Sequence, residues 1–206
     1  MTYRFSFLLA LICAVAGYLL GNLQSAVIVS KLQYRQDIRH YGSHNAGTTN
    51  MLRVYGTSPG TLTFIGDLLK MVASVLIGRA LMGTLGGYIA GACTVIGHCY
   101  PVFAEFKGGK GAASLLAFTW MVYPLAGLCV TVTAAVAFLI WKRVSLSSLL
   151  GGLVFVILVL IFRWNNTALV IFAVLLYSFM VFRHKDNIRR LIRGEEPKLV
   201  IKGVKM

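Results

Sequence analysis

Long apolar stretches alternate with short polar connections carrying lysine and arginine along most of the chain. Runs of this kind are read as membrane-spanning helices, because about 20 residues rising 1.5 Å each cross a hydrocarbon layer of roughly 30 Å. The pattern predicts seven spans, over residues 5–24, 61–78, 83–103, 111–127, 125–141, 149–162 and 167–182. The fourth and fifth abut at Tyr123-Pro124. Several are too short for a perpendicular crossing, so shortened helices or a five-span count stay open. The N-terminal run continues to Leu23 with no small-residue cleavage site, which reads as a first span and not as a cleaved leader.

Composition supports this reading. The 206 residues are 58% apolar and 13% charged with mean hydropathy +0.78, which excludes an ordinary water-soluble globule. The expected fold is an all-α integral membrane protein: a seven-transmembrane-helix bundle forming one domain, residues 1–206. A net charge of +14 would suggest nucleic acid in a soluble protein, but here the cations sit between spans. Of 20 Lys and Arg, 16 fall in connections 31–60, 104–112 and 142–148 and in the tail 183–206; the other side holds only Arg4, Arg79 and Arg163, and Lys70 lies within a span. By the positive-inside rule the N-terminus is outside and the C-terminus cytoplasmic. Cys13, Cys93, Cys99 and Cys129 lack CxxC spacing and read as small core residues, not disulfides or zinc ligands.

On that cytoplasmic side lies Phe106-Lys107-Gly108-Gly109-Lys110-Gly111-Ala112-Ala113-Ser114. Glycines let backbone N–H groups converge, and the helix that follows offers its positive end, so a phosphate suits the loop. A plain basic turn between spans is the competing reading. The Walker A pattern fails because Gly111 stands where Ser or Thr is needed, and the dinucleotide fingerprint fails at Ser114. A second cluster, Tyr41 to Arg53, is dense in Ser, Asn and Thr and ends on an arginine able to grip a phosphate, which favours ligand binding over a flexible connector.

Other features carry plainer readings. Asp67 and Lys70, at i, i+3 inside the second span, read as a structural ion pair. Gly83, Gly87 and Gly91 form a small-residue face for close helix packing, and His98 reads as a packing residue at a helix end. Ser145, after Lys142-Arg143, is equally a helix cap or a phosphate ligand. Arg183 to Glu196 is largely a basic amphipathic segment attracted to anionic lipid, yet His184 and Asn187 share one face just past the last span.

Together these residues resemble the bacterial acyl-phosphate:glycerol-3-phosphate acyltransferases of the PlsY type, over essentially the whole chain. The most specific stretch is Gly97-His98-Cys99-Tyr100-Pro101-Val102-Phe103 running into Phe106-Lys107-Gly108-Gly109-Lys110-Gly111-Ala112-Ala113; the Asp67/Lys70 pair, Ser145 and the His184/Asn187 tail also match. The first loop departs from the family's Gly-Ser-Gly-Asn-Pro-Gly-Ala-Thr-Asn-x-x-Arg, with His44, Ala46 and Thr48 for Gly, Pro and Ala.

The resemblance implies transfer of a fatty acyl group from acyl phosphate to the 1-hydroxyl of glycerol 3-phosphate in the bacterial cytoplasmic (inner) membrane, with the active site facing the cytoplasm. Products would be lysophosphatidic acid and phosphate. Lys110 and His184 are the expected catalytic residues. Ser43, Asn45, Asn50, Arg53, Lys107, Gly108, Gly109, Gly111, Ser145 and Asn187 are the expected substrate ligands. The glycine loop would hold one phosphate and Ser43 with Arg53 the other, while Ser145, His184 and Asn187 orient glycerol 3-phosphate. No metal, cofactor or nucleic acid is implied; membrane lipids are partners, and a soluble acyl-phosphate-forming enzyme is a further candidate. The competing function is a transporter or binding protein for phosphorylated metabolites, which would want mid-membrane cations and internal repeats.

Overall fold

The computed structural model describes residues 6–201, so Arg4, Lys202 and Lys205 lie outside the described residues. Within them the chain forms nine α-helices: α1 (Phe7–Gly21), α2 (Ser25–Tyr34), α3 (Thr48–Tyr55), α4 (Thr57–Cys99), α5 (Ala112–Val122), α6 (Pro124–Trp141), α7 (Val144–Phe162), α8 (Thr167–Arg183) and α9 (Lys185–Ile192). Every predicted span has a helical counterpart. Four helical runs are long and apolar enough to cross a membrane, or five when α8 and α9, bent by 64°, are taken together.

The long α4 is two limbs, because Met82 and Gly83 leave helical geometry, Gly83 at φ 62° and ψ −153°. Gly83 is therefore a turn residue and not part of the packing face expected of it. Gly87 and Gly91 do pack closely, against Arg79 and Val75 and against Phe118. The C-terminal limb also receives α1: a Cβ on Gly17 would collide with the backbone of Ala90, so glycine sets the distance between these two helices. The fourth predicted span, 111–127, is shorter in the structure. Tyr123 breaks the helix with φ −152° and ψ 85°, and Pro124 begins α6; the 11 residues of α5 extend only about 16 Å.

Large side chains such as Phe118, Phe155 and Leu169 fill the core between the second limb of α4 and helices α5, α7 and α8. At one end, Arg79 donates to the Met121 carbonyl and the Arg163 guanidinium lies 4.8 Å from the Tyr123 ring centre. The polar segments meet at the other end. Arg39 Nη1 donates to Ala104 O at 2.7 Å, Arg183 Nη2 to Gly109 O at 3.0 Å, and Leu199 N to Lys142 O at 2.8 Å.

Candidate active site

A cavity of about 650 Å³ opens at this polar end and continues between helices. Its polar walls include Ser43, Asn45, Arg53, Lys107, Lys110, Ser145, Arg183, His184, Asn187, Arg190 and Glu196, and its apolar wall includes Leu116, Val130, Ala134 and Met180. The first turns of α3 and α5 border it as well, through Thr48, Thr49, Ala112 and Ala113. Unpaired N–H groups at two helix starts and several cations make this end strongly attractive to an anion.

The glycine loop is held against the end of α4. Gly109 N donates to His98 O at 3.1 Å; a Cβ on Gly108 would strike that carbonyl, and one on Gly109 would strike His98 Nε2. Gly111, at φ 82°, then turns the chain into α5. Lys110 Nζ donates to Asn187 Oδ1 across the cavity. Burial first, then the Arg190 guanidinium, pulls the Lys110 ammonium below the ordinary lysine value. Lys107 points away, with Nζ 2.9 Å from Glu105 Oε2 and 71% of its side chain exposed, so it guards the rim while Lys110 reaches inward.

Asn187 links the loop to a buried carboxylate. Its Nδ2 donates to Glu196 Oε1 at 2.6 Å, Ser145 Oγ donates to the same oxygen at 2.7 Å, and Arg190 Nε donates to Oε2 at 2.7 Å. Burial alone would push the Glu196 carboxyl up, but the bonds from Ser145, Asn187 and Arg190 outweigh it and hold the group below the usual carboxylate range. Arg143 Nε grips the Glu196 carbonyl at 2.9 Å, docking the tail across the start of α7. His184 Nδ1 lies 2.8 Å from Met180 O, which accepts its proton and leaves Nε2 as an acceptor. Burial pushes this imidazole down to about 4, so it is neutral near pH 7. Asp186 does not orient it; it lies 3.6 Å from Arg189 at the exposed surface.

The first loop is organised by Asn50. Its Nδ2 donates to Tyr41 O at 2.9 Å, Asn45 O at 3.1 Å and Ile38 O at 3.3 Å, while Oδ1 accepts from Ser43 N at 2.9 Å. With its amide bonded to backbone, Asn50 shapes the loop while also bordering the cavity. His44, where the resembled pattern has Gly, sits at φ 57° and is held by an Nδ1 contact of 3.0 Å to Arg39 O. Arg53 and Ser43 reach the cavity wall, Ser43 from an exposed position.

Of the expected residues all but Gly109 line one cavity, Asn50 with its amide already bonded to backbone and Lys107 at the rim. Sequence reasoning missed Glu196, Arg183 and Arg190, which it took for surface charges of a basic segment. Nothing local separates buried Glu196 from its exposed neighbour Glu195. Arg183 offered one signal, its place beside His184 at the end of an apolar run. Its Nη2 bonds Gly109 O and its guanidinium stacks 4.6 Å from the Tyr100 ring centre. The Asp67/Lys70 pair is present at 2.8 Å, and His98, read as packing, also borders the cavity.

Residues 11–194 match the family model for Glycerol-3-phosphate acyltransferase. A protein of that name from Thermoanaerobacter pseudethanolicus is 44% identical over 190 residues, covering 92% of this chain and 96% of its own. Another from Finegoldia magna is 40% identical over 199 residues, covering 97% and 98%. The crystal structure of PlsY (YgiH), an integral membrane glycerol 3-phosphate acyltransferase, in its glycerol 3-phosphate form aligns with TM-score 0.86 at 32% identity, over 93% of this chain and 96% of that one. Its lysophosphatidic acid form gives 0.83 at 32% identity, over 92% and 94%. Fold and cavity together define an integral membrane acyltransferase. The chain belongs to the glycerol-3-phosphate acyltransferase family, and phospholipid biosynthesis follows from that membership.

Proposed function

We propose that the protein transfers a fatty acyl group from acyl phosphate to the 1-hydroxyl of glycerol 3-phosphate, releasing lysophosphatidic acid and inorganic phosphate. One observation carries the reading: a single cavity joins a cation-rich end bordered by two helix starts to an apolar wall between helices. Two phosphate esters and one acyl chain need that combination. The glycine loop and Lys110 receive the donor's phosphoryl group. Ser43 and Arg53 hold the phosphate of glycerol 3-phosphate, and Ser145, His184 and Asn187 orient its glycerol.

The hydroxyl oxygen attacks the acyl carbon, the bond from that carbon to the phosphate oxygen breaks, and phosphate departs. His184 Nε2 accepts a hydrogen bond from the hydroxyl. Its low proton affinity makes the departing phosphate the better final home for the proton. Lys110 stabilises the charge that develops on the carbonyl and leaving oxygens, and positioning does much of the rest because acyl phosphate is already activated.

In the same reading the domain crosses the bacterial cytoplasmic membrane seven times, by α1, the two limbs of α4, α5, α6, α7 and α8. The N-terminus is outside, and the cavity and C-terminus face the cytoplasm. The clustering of Lys and Arg at the cavity end supports that orientation. A soluble enzyme that forms acyl phosphate would be its supplier.

The test is phosphate release by purified protein given palmitoyl phosphate and glycerol 3-phosphate, with palmitoyl-CoA in parallel. Release that requires both substrates, ignores the thioester and falls by about 10²-fold or more in Lys110→Ala supports the proposal. Absence of release by folded protein overturns it in favour of binding or transport.

A further inference from the structure

His98 lies in the last turn of α4, directly beneath the glycine loop. One edge of its ring faces Lys70, whose Nζ lies 2.8 Å from each of three acceptors, Asp67 Oδ1, Leu23 O and His98 Nδ1, with Gly21 O farther off at 3.4 Å. An ammonium has three N–H bonds and no lone pair. All three are therefore committed, and Nδ1 of His98 must be an acceptor. Its proton is consequently on Nε2.

The assembly is anchored on every other side. Ser25 Oγ donates to Asp67 Oδ1 at 3.0 Å, and Gln24 Nε2 and Gly109 N donate to His98 O at 3.2 and 3.1 Å. The ring cannot turn without breaking the contact to Lys70. The opposite edge differs: among the described residues Nε2 has no hydrogen-bond partner. It abuts Gly109, next to Lys110, where His98 borders the cavity. A residue only 3% exposed thus presents an unpartnered donor beside the anion-binding loop. Packing alone explains a buried histidine, but not a lysine and an aspartate arranged behind it so that its proton points at the loop.

We propose that His98 contacts substrate: its Nε2–H donates a hydrogen bond to a phosphoryl oxygen of the acyl donor seated on the glycine loop. Lys70 and Asp67 are positioning residues that act through it by fixing the tautomer. The assignment to the donor and not to glycerol 3-phosphate follows from placement, since His98 underlies Gly109, whereas His184, Asn187 and Ser145 come from α7 and the segment after α8. This inference rests on the acyl-phosphate reading.

Two variants separate the contact from packing. His98→Gln can place an N–H near the position of Nε2. His98→Asn can still accept from Lys70 but has no distal donor. With both folded by size exclusion and melting temperature, His98→Asn is expected to raise KM for palmitoyl phosphate about ten- to a hundredfold and KM for glycerol 3-phosphate by less than about twofold, while His98→Gln stays within about threefold of wild type. Equal losses in the two variants, or equal KM rises for the two substrates, would overturn the contact.

A ¹⁵N-histidine spectrum of the wild-type protein, assigned by difference against His98→Gln, supplies a readout independent of turnover. It should show the Nε2-protonated tautomer, with an Nε2–H resonance that shifts on adding a non-hydrolysable acyl phosphonate and not on adding glycerol 3-phosphate. An Nδ1-protonated ring, or no phosphonate-induced shift, refutes the inference. Should wild type release no phosphate from palmitoyl phosphate, the proposed function falls, and the phosphonate shift still decides whether His98 meets an acyl phosphoryl group.

Discussion

Replacing Glu196 by Gln perturbs one charge at nearly constant volume. The carboxylate receives Ser145 and Asn187 on Oε1 and Arg190 on Oε2. The glutamine carbonyl can replace only one of these oxygens. Placing its NH₂ toward Asn187 would force that amide to flip and break the bond from Lys110 to Asn187 Oδ1, so the NH₂ turns toward Arg190. Arg190 is 40% exposed along its side chain and can turn to water, a loss of about 0–1 kcal/mol. The two bonds that survive lose their charge assistance, about 1 kcal/mol each. The sum is about 2–3 kcal/mol.

Glu196→Ala goes further, because it strands Asn187 Nδ2 and adds about 1–3 kcal/mol. Once Asn187 is loose, Lys110 is no longer aimed, and kcat/KM is expected to fall about ten- to a hundredfold. Thermal unfolding in detergent measures the stability, and phosphate release measures the activity. A double-mutant cycle with Asn187→Ala should show a coupling above about 0.5 kcal/mol. Additive effects, or wild-type stability and activity in Glu196→Gln, would refute the account of the tail as a structural support for Lys110.

Three further outcomes are expected. Arg183→Gln removes the guanidinium from Gly109 O and from the Tyr100 face; KM for acyl phosphate should rise about tenfold, and Arg183→Lys should not restore it, as steady-state kinetics will show. His184 remains neutral in the fold down to about 4, whereas an unfolded histidine takes up its proton near 6.5. Its contribution is therefore fully present above pH 6.5 and declines as pH falls toward 4, by at most about 3 kcal/mol. Melting curves against pH should show this slope in wild type and less of it in His184→Gln. For topology, Trp164 lies at the end opposite the cavity and Lys185 at the cavity end, both exposed. A membrane-impermeant maleimide on intact spheroplasts should label Trp164→Cys, and label Lys185→Cys only after permeabilisation; the reverse would invert the orientation.

The alternation of apolar runs with basic connections was enough to place α1 and α4 to α8, though not α2 and α3, because a bilayer imposes one requirement on length and another on charge, and both are local properties of the chain. Gly108, Gly109 and Gly111 and the His184/Asn187 spacing were legible for a similar reason, since backbone freedom and helical periodicity depend only on neighbours. What Glu196, Arg183 and Asn50 do was not legible. A carboxylate in a basic tail looks solvated until the fold buries it beneath Ser145 and Arg190, and no local pattern shows that the Asn50 amide closes on the loop carbonyls. His98 shows the division most clearly. Its place at a helix end could be read from Tyr100-Pro101, but the direction of its proton depends on Lys70, 28 residues earlier. Only the folding of α4 back on itself at Gly83 brings those two groups together.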